Sequence, residues 1–192
     1  MQQNLARDDM LAELPKIDFI VGNLHQLVES SNISALQPFE EEVLDFLQAL
    51  SKCLMGHKNA RNFPDVTTLG FWMRKASMLK LKERFAKEDQ NIHVGRGVAF
   101  HIAPSNVPVN YAYSLVTGLV TGNVNIVRIP SKDFPQVSII NAAINETLEQ
   151  FPRIQKYVYL VRYERSQKVN DFFSLLADTR IIWGGDNMRS SR

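Results

Sequence analysis

Sulfur chemistry is nearly absent from this chain: its 192 residues hold one cysteine, Cys53. That excludes an intrachain disulfide and any cysteine cluster able to hold zinc, and it fits a reducing, cytoplasmic setting. Long hydrophobic runs are missing too. No apolar stretch approaches the roughly 20 residues that span a bilayer, and the opening MQQNLARDDMLAELPK carries charges throughout, without the apolar centre of a signal peptide. The sequence therefore predicts a soluble, unexported protein. Charge of one sign is also scarce. Its 22 basic and 20 acidic residues leave a net charge of +2, with no long block of either sign, so nothing electrostatic calls for a nucleic acid or a membrane surface. Interleaved aromatics and basic stripes of the kind that bind single strands are not found either. There is no internal repeat, no low-complexity segment and no Gly-x-Gly-x-x-Gly fingerprint.

What is present is enough apolar material, 45% of residues, for one well-buried domain or a domain with an attached helical region. The first third has helical periodicity. From Pro38, the residues Phe39, Val43, Phe46, Leu47, Leu50 and Leu54 share a face, and Gly56 supplies a stop. A second helix is expected to start near Asp65 to Thr68, with Leu69, Trp72, Met73, Ala76 and Leu79 on its buried side. After Asp89 the pattern changes to short β-rich runs, Val94 to Ala103, Val124 to Ile129, Tyr157 to Val161 and Arg180 to Trp183. Helices are expected between them over Pro108 to Thr121, Phe134 to Glu149 and Ser166 to Leu176, with Asp133 able to cap the middle one and Pro135 in its first turn. Such alternation implies α/β architecture with a parallel sheet.

One unit stands out, FHIAPSNVPVNYAYSLVTGLVTGNVNIVRIPSKDFP (Phe100 to Pro135), a strand, a small-residue helix and a second strand. Its turn Ser105-Asn106-Val107-Pro108 follows the first strand directly. A polar side chain just past the carboxyl end of a parallel strand lies where open α/β sheets collect ligands, so Asn106 is placed either to do chemistry or to cap the helix that follows.

The turn Pro104-Ser105-Asn106-Val107-Pro108 resembles the Pro-x-Asn-x-Pro turn of the aldehyde dehydrogenase superfamily. Together with FPDVTTLGFWMRKASM (Phe63 to Met78), GNVNIVRIPSKDFPQV (Gly122 to Val137) and WGGD (Trp183 to Asp186) it resembles, more narrowly, the LuxC-type acyl-CoA reductases. The resemblance runs from about Phe63 to the last residue. It implies a Rossmann-like parallel sheet of the aldehyde dehydrogenase type over residues 91–192, an incomplete dinucleotide-binding domain, preceded by a helical region over residues 1–90. It also implies NADPH-dependent reduction of a fatty acyl-CoA to the aldehyde through a cysteine acyl-enzyme, as in luminescent bacteria. Asn106 would then be a catalytic residue, directing its amide N–H at the carbonyl oxygen that becomes negative in both steps. The implied partners are the fatty acyl-CoA substrate, an acyl-protein synthetase and an acyl-transferase, with self-association into a homo-oligomer.

For the cofactor, the resemblance points to Arg128, Pro130, Ser131 and Lys132 at the adenosine end, and to Gly184 and Gly185 near the pyrophosphate, with Asp186 as a helix cap. In aldehyde dehydrogenases a lysine directly precedes the proline of the first of these turns, whereas this chain has Ile129 there, after Arg128. Where NAD-using relatives carry an acidic residue it has Lys132, a cation suited to a 2′-phosphate, so NADPH is favoured over NADH. Arg128 and Lys132 also fit plain exposed turn charges. His101 reads as a satisfied core histidine, His25, His57 and His93 have no partner pattern, and Cys53 lies on an apolar helical face as a small buried hydrophobe. The family nucleophile follows the cofactor-binding strands, so the catalytic cysteine and its domain are expected to lie outside these residues. The alternative reading is a catalytically inactive nucleotide-binding or interaction module.

Overall fold

Three pentapeptides of like character, VAFHI, VNIVR and VYLVR, form the centre of the molecule, each with its first four residues buried and the last half-exposed. Burial on both faces is what a parallel sheet covered by helices requires. The computed structural model describes residues 14–88 and 91–183. Its strands are β1 (Asp18–Val21), β2 (Val98–Ile102), β3 (Val124–Arg128), β4 (Val158–Arg162) and β5 (Thr179–Ile182). They lie in the order β1-β4-β3-β2-β5, all parallel except β1, which runs antiparallel to β4. The helices are α1 (Leu24–Val28), α2 (Glu41–Gly56), α3 (Pro64–Trp72), α4 (Lys75–Glu88), α5 (Asn110–Val120), α6 (Pro135–Leu148), α7 (Pro152–Gln155) and α8 (Gln167–Leu176).

Alternation along β2 assigns its side chains to opposite faces. Phe100 meets Phe173 of α8, with ring centroids 5.3 Å apart, while His101 points to α5, where it faces Gly118. The α5 face also receives α2 and α6. There α2 buries Val43, Leu44, Phe46, Leu47, Leu50 and Leu54, and Phe46 meets Phe151 edge-on at 5.7 Å. The expected periodicity of this helix and its stop at Gly56 are both observed. Ser166 accepts from the amide of Val169 and caps α8.

Several expectations need correction. The first third is not wholly helical, because β1 adds an edge strand to the sheet, with Asp18 opposite Arg162; a four-residue strand at an antiparallel edge carries too short a pattern to stand out. The second helix is two helices broken at Met73 and Arg74, so the stripe through Ala76 and Leu79 turns away from the core, and Met78 is the buried residue of α4. Pro64 opens α3 at its first position, where proline is favoured. Asp133 does not cap α6: Phe134 occupies that position with no side-chain cap, and the Asp133 carboxylate instead pairs with Arg162 at 3.1 Å. The run from Val94 becomes strand only at Val98, since the chain before it pairs with the segment 34–39 and not with the sheet: Gly95 N donates to Leu36 O at 2.9 Å, and Leu36 N donates to Gly122 O at 2.9 Å. Gly122 closes this crossing at φ +84, in the left-handed region that glycine tolerates.

Among the described glycines, Gly118 of α5 has the least room for a side chain: a methyl group would overlap Asn125 Oδ1 and press on His101 Nε2 at 3.0 Å. Gly118→Ala is expected to cost about 1–3 kcal/mol by overpacking, measured by urea unfolding. Gly56→Ala, whose added carbon meets nothing within 4 Å, is the control and should fall within about 0.5 kcal/mol of the parent. Equal stabilities for the two variants would refute the packing account.

Candidate functional site

The strand order contains a reversal. From β2 the chain moves to β3 and then β4 on one side, and next crosses back to place β5 on the other side of β2. At such a switch point the loops leaving two neighbouring strands diverge, and a crevice opens outside their carboxyl ends. Here the switch point lies between the ends of β2 and β5, held in register by Ile102 opposite Ile182 and by Trp183 N donating to Ile102 O at 3.1 Å.

Asn106 leaves the sheet at this edge, four residues beyond the end of β2. It is exposed, and its side chain has no hydrogen-bond partner among the described residues. It does not cap α5, whose N-cap is Val109 with no side-chain bond. The amide is thus free to meet something outside the protein.

The other predicted residues that the structure describes fall on the same edge with different fates. At the end of β3, Pro130 is buried, whereas Ser131 and Lys132 are exposed. Arg128 is engaged internally: its Nη2 donates to Tyr163 O at 3.3 Å and its guanidinium covers the Tyr163 ring at 4.6 Å. Asp133, the acidic neighbour of Lys132, is paired with Arg162, so it does not cancel the lysine charge toward a ligand. Of the cations at the ends of β3 and β4, Arg128 and Arg162 are engaged within the protein, while Lys132 is exposed. Gly184, Gly185 and Asp186 follow β5 in sequence and lie outside the described residues.

Sequence reasoning overlooked Tyr163 and Arg162. They occupy the end of β4 and tie down both Arg128 and Asp133, and burial pushes the Tyr163 hydroxyl up, where it donates to Asn170 Oδ1 at 2.7 Å. The run VYLVRY was a signal of sorts, since a strand passing from apolar to cationic residues marks its own carboxyl end.

Cys53 is half-buried on α2, its thiol 3.6 Å from Glu146 Oε2. Burial first and the Glu146 carboxylate second push its pKa up, against thiolate formation. Because α6 runs back from the end of β3, Glu146 near its last turn brings Cys53 toward the opposite end of the sheet from Asn106. It has neither the ionisation nor the place of a nucleophile.

His101 is the other buried ionisable group next to the site. Asn125 Nδ2 donates to Asn123 O at 2.7 Å, which leaves Asn125 Oδ1 as acceptor for His101 Nε2–H at 3.0 Å. His101 Nδ1 is buried with no acceptor within reach among the described residues, so a second proton has nothing to donate to. Burial lowers the pKa from 6.5 to about 4, only partly opposed by the Asn125 bond. It is a core group, as its setting in an apolar strand suggested, though satisfied on one nitrogen alone.

An α/β protein with a mostly parallel five-stranded sheet flanked by helices is the class this arrangement defines. The chain belongs to the acyl-CoA reductase (LuxC) family, whose sequence model matches residues 26–191. No curated protein matches the chain. Reductases of this family use NADH or NADPH.

Because His101 is neutral when folded and takes a proton more readily when unfolded, its contribution is complete above pH 6.5 and is lost as pH falls toward 4. The expected decline is up to about 3 kcal/mol over that window, measured by urea unfolding at a series of pH values. His101→Phe should flatten this part of the profile, and an unchanged slope in that variant would assign the effect to other groups.

Proposed function

We propose that this chain supplies the cofactor-binding and oxyanion part of an enzyme that reduces a fatty acyl-CoA thioester to the aldehyde with NADPH. The observation that carries the reading is the position of Asn106, unpartnered at the carboxyl end of β2 beside the switch point, in a chain of this family. On this reading the sheet is a Rossmann-like one of the aldehyde dehydrogenase type.

Bound NADPH supplies the hydride. The residues of this chain hold and orient the reactants. Asn106 Nδ2 donates to the thioester oxygen as negative charge develops on it, and an amide fixed in that role is worth on the order of 100 to 1000-fold in rate. Its lack of an internal partner supports the role, since no protein bond has to break before it acts. Ser131 and Lys132 meet the adenosine end, Lys132 pairing with the 2′-phosphate. Arg128 acts one step removed, its bond to Tyr163 O bracing the ends of β3 and β4. The family resemblance assigns Gly184 and Gly185 to the pyrophosphate, where a residue without a side chain would allow close approach. The cysteine that takes the acyl group is not Cys53, whose raised pKa and place on α2 disqualify it, so the 192 residues alone are expected to bind cofactor without turning over acyl-CoA.

Calorimetric titration of the chain with NADPH and NADH tests this. NADPH should bind more tightly, Lys132→Glu should weaken NADPH by about tenfold or more while sparing NADH, and Asn106→Ala should alter neither affinity, because it serves the carbonyl. A tenfold loss corresponds to about 1.4 kcal/mol, a reasonable size for one charge-assisted contact. Failure of the folded chain to bind either nucleotide would sink the proposal, and acyl-CoA-dependent NADPH oxidation by the chain alone would overturn its division of labour.

A further inference from the structure

Four of the five tyrosines are buried, and three of those have a partner for the hydroxyl. Tyr111 donates to Asn141 Oδ1 at 2.7 Å, Tyr157 to Ser34 O at 2.8 Å and Tyr163 to Asn170 Oδ1 at 2.7 Å. Tyr159 is the exception. It is 1% exposed, yet its hydroxyl has no hydrogen-bond partner among the described residues, where a buried tyrosine ordinarily finds one. The ring cannot turn away to reach one. Tyr159 is paired with Ile126 of β3, and the chain at Gly22 crosses the ring so closely that a β-carbon there would lie 2.5 Å from Tyr159 Cδ1.

Unlike Ser114 Oγ and His101 Nδ1, which are sealed from solvent, the Tyr159 hydroxyl keeps an opening. That opening is a cleft of about 350 Å³ with Tyr159 as its floor. Burial first and the Glu29 carboxylate second push the phenol pKa up to about 12, so the hydroxyl stays protonated and is a donor. The rim is polar on both sides. Gln26, Glu29 and Asn32 come from α1 and the turn after it, and Gln155 and Lys156 from α7 and its end. The three side-chain amides make no hydrogen bond among the described residues. Lys156 makes no ion pair among them, and Glu29 has only the His25 ring, at 4.0 Å. One wall thus brings a single anion and the other a single cation. A ligand with one net charge would suit one wall and be repelled by the other, whereas a ligand with both charges suits both.

We infer that this cleft binds a small zwitterion with an amide side chain, a free α-amino acid of the glutamine type. Its ammonium lies at Glu29, its carboxylate at Lys156 and the Tyr159 hydroxyl, and its amide among Gln26, Asn32 and Gln155, which can each donate and accept. Ile33 and Pro152, also in the lining, give its methylene groups an apolar surface. A cleft of this volume is at the small end of ligand sites. It is remote from the family chemistry: Tyr159 is the second residue of β4 and α7 precedes that strand, so the cleft is at the amino end, whereas Asn106 and Lys132 follow the carboxyl ends of β2 and β3. The site does not depend on the nucleotide reading.

The test is titration of the whole nitrogen-15-labelled chain with L-glutamine, followed by NMR through the side-chain NH2 signals of Gln26, Asn32 and Gln155. These are expected to shift together along one saturable curve, with the Asn106 NH2 signal unmoved. Tyr159→Phe keeps the ring and removes only the hydroxyl, and it should weaken glutamine about tenfold with an unchanged circular dichroism spectrum. Two analogues separate the charges. N-acetylglutamine, without the ammonium, should bind about threefold more weakly and lose nothing further in Glu29→Gln; glutaminamide, without the carboxylate, should also bind about threefold more weakly and lose nothing further in Lys156→Gln. Should Tyr159→Phe unfold, these two exchanges at exposed positions carry the test. Absence of a saturable shift, as for a cleft that holds only water, full affinity in a folded Tyr159→Phe, or equal losses of both analogues in both charge variants would each overturn the inference. NADPH titration of the same samples keeps the outcomes apart, because nucleotide binding with no glutamine binding discards only the cleft.

Discussion

A hydrogen bond inside a parallel sheet has no water to fall back on, and the bond between His101 of β2 and Asn125 of β3 is of that kind. Both side chains lie on the face covered by α5, and the helix can close over them only because residue 118 has no side chain. The polar pair sets how near α5 comes to the sheet, and Asn125 in turn binds the carbonyls of Asn123 and Tyr157, joining β3 to the approach to β4. Strand pairing, crossover helix and the turn that carries Asn106 thus share one anchor. The cost is a histidine held neutral by its surroundings, which links acid stability to the same spot.

From that anchor the functional edge follows by topology. Parallel strands all end on one side, and the reversal between β4 and β5 puts the switch point beside β2. Two cations on this edge are tied down, Arg128 by the carbonyl and ring of Tyr163 and Arg162 by the Asp133 carboxylate. Lys132 is left exposed, and so is Asn106. The cleft at Tyr159 opens at the amino end of β4, so the two ends of the sheet carry surfaces of different chemistry.

Much of this was legible in the chain. Strands of Val, Ile and Tyr with helices between them announced a parallel sheet, because burial on both faces demands near-continuous apolar runs. The stripe from Val43 to Leu54 marked α2, and Asn106 stood out through its turn. Less legible were features that depend on distant partners. The break at Met73 and Arg74 has no glycine or proline to signal it, and Lys75 is held instead by Glu41 and Asp45 of α2. The capping role expected of Asp133 was lost to Arg162, because its carboxylate accepts from a guanidinium 29 residues away, while the first backbone N–H groups of the helix can donate to water instead.

By itself, then, the sequence determined the alternation of strands and helices, the family and the identity of the polar residue at the turn, since local periodicity and short motifs suffice for these. Only the tertiary structure decided that β1 joins the sheet, that β5 returns beside β2 to make the switch point, and that Arg128 is bound inward while Lys132 faces out. Each of these depends on contacts between residues far apart in the chain, whose energies no local pattern records.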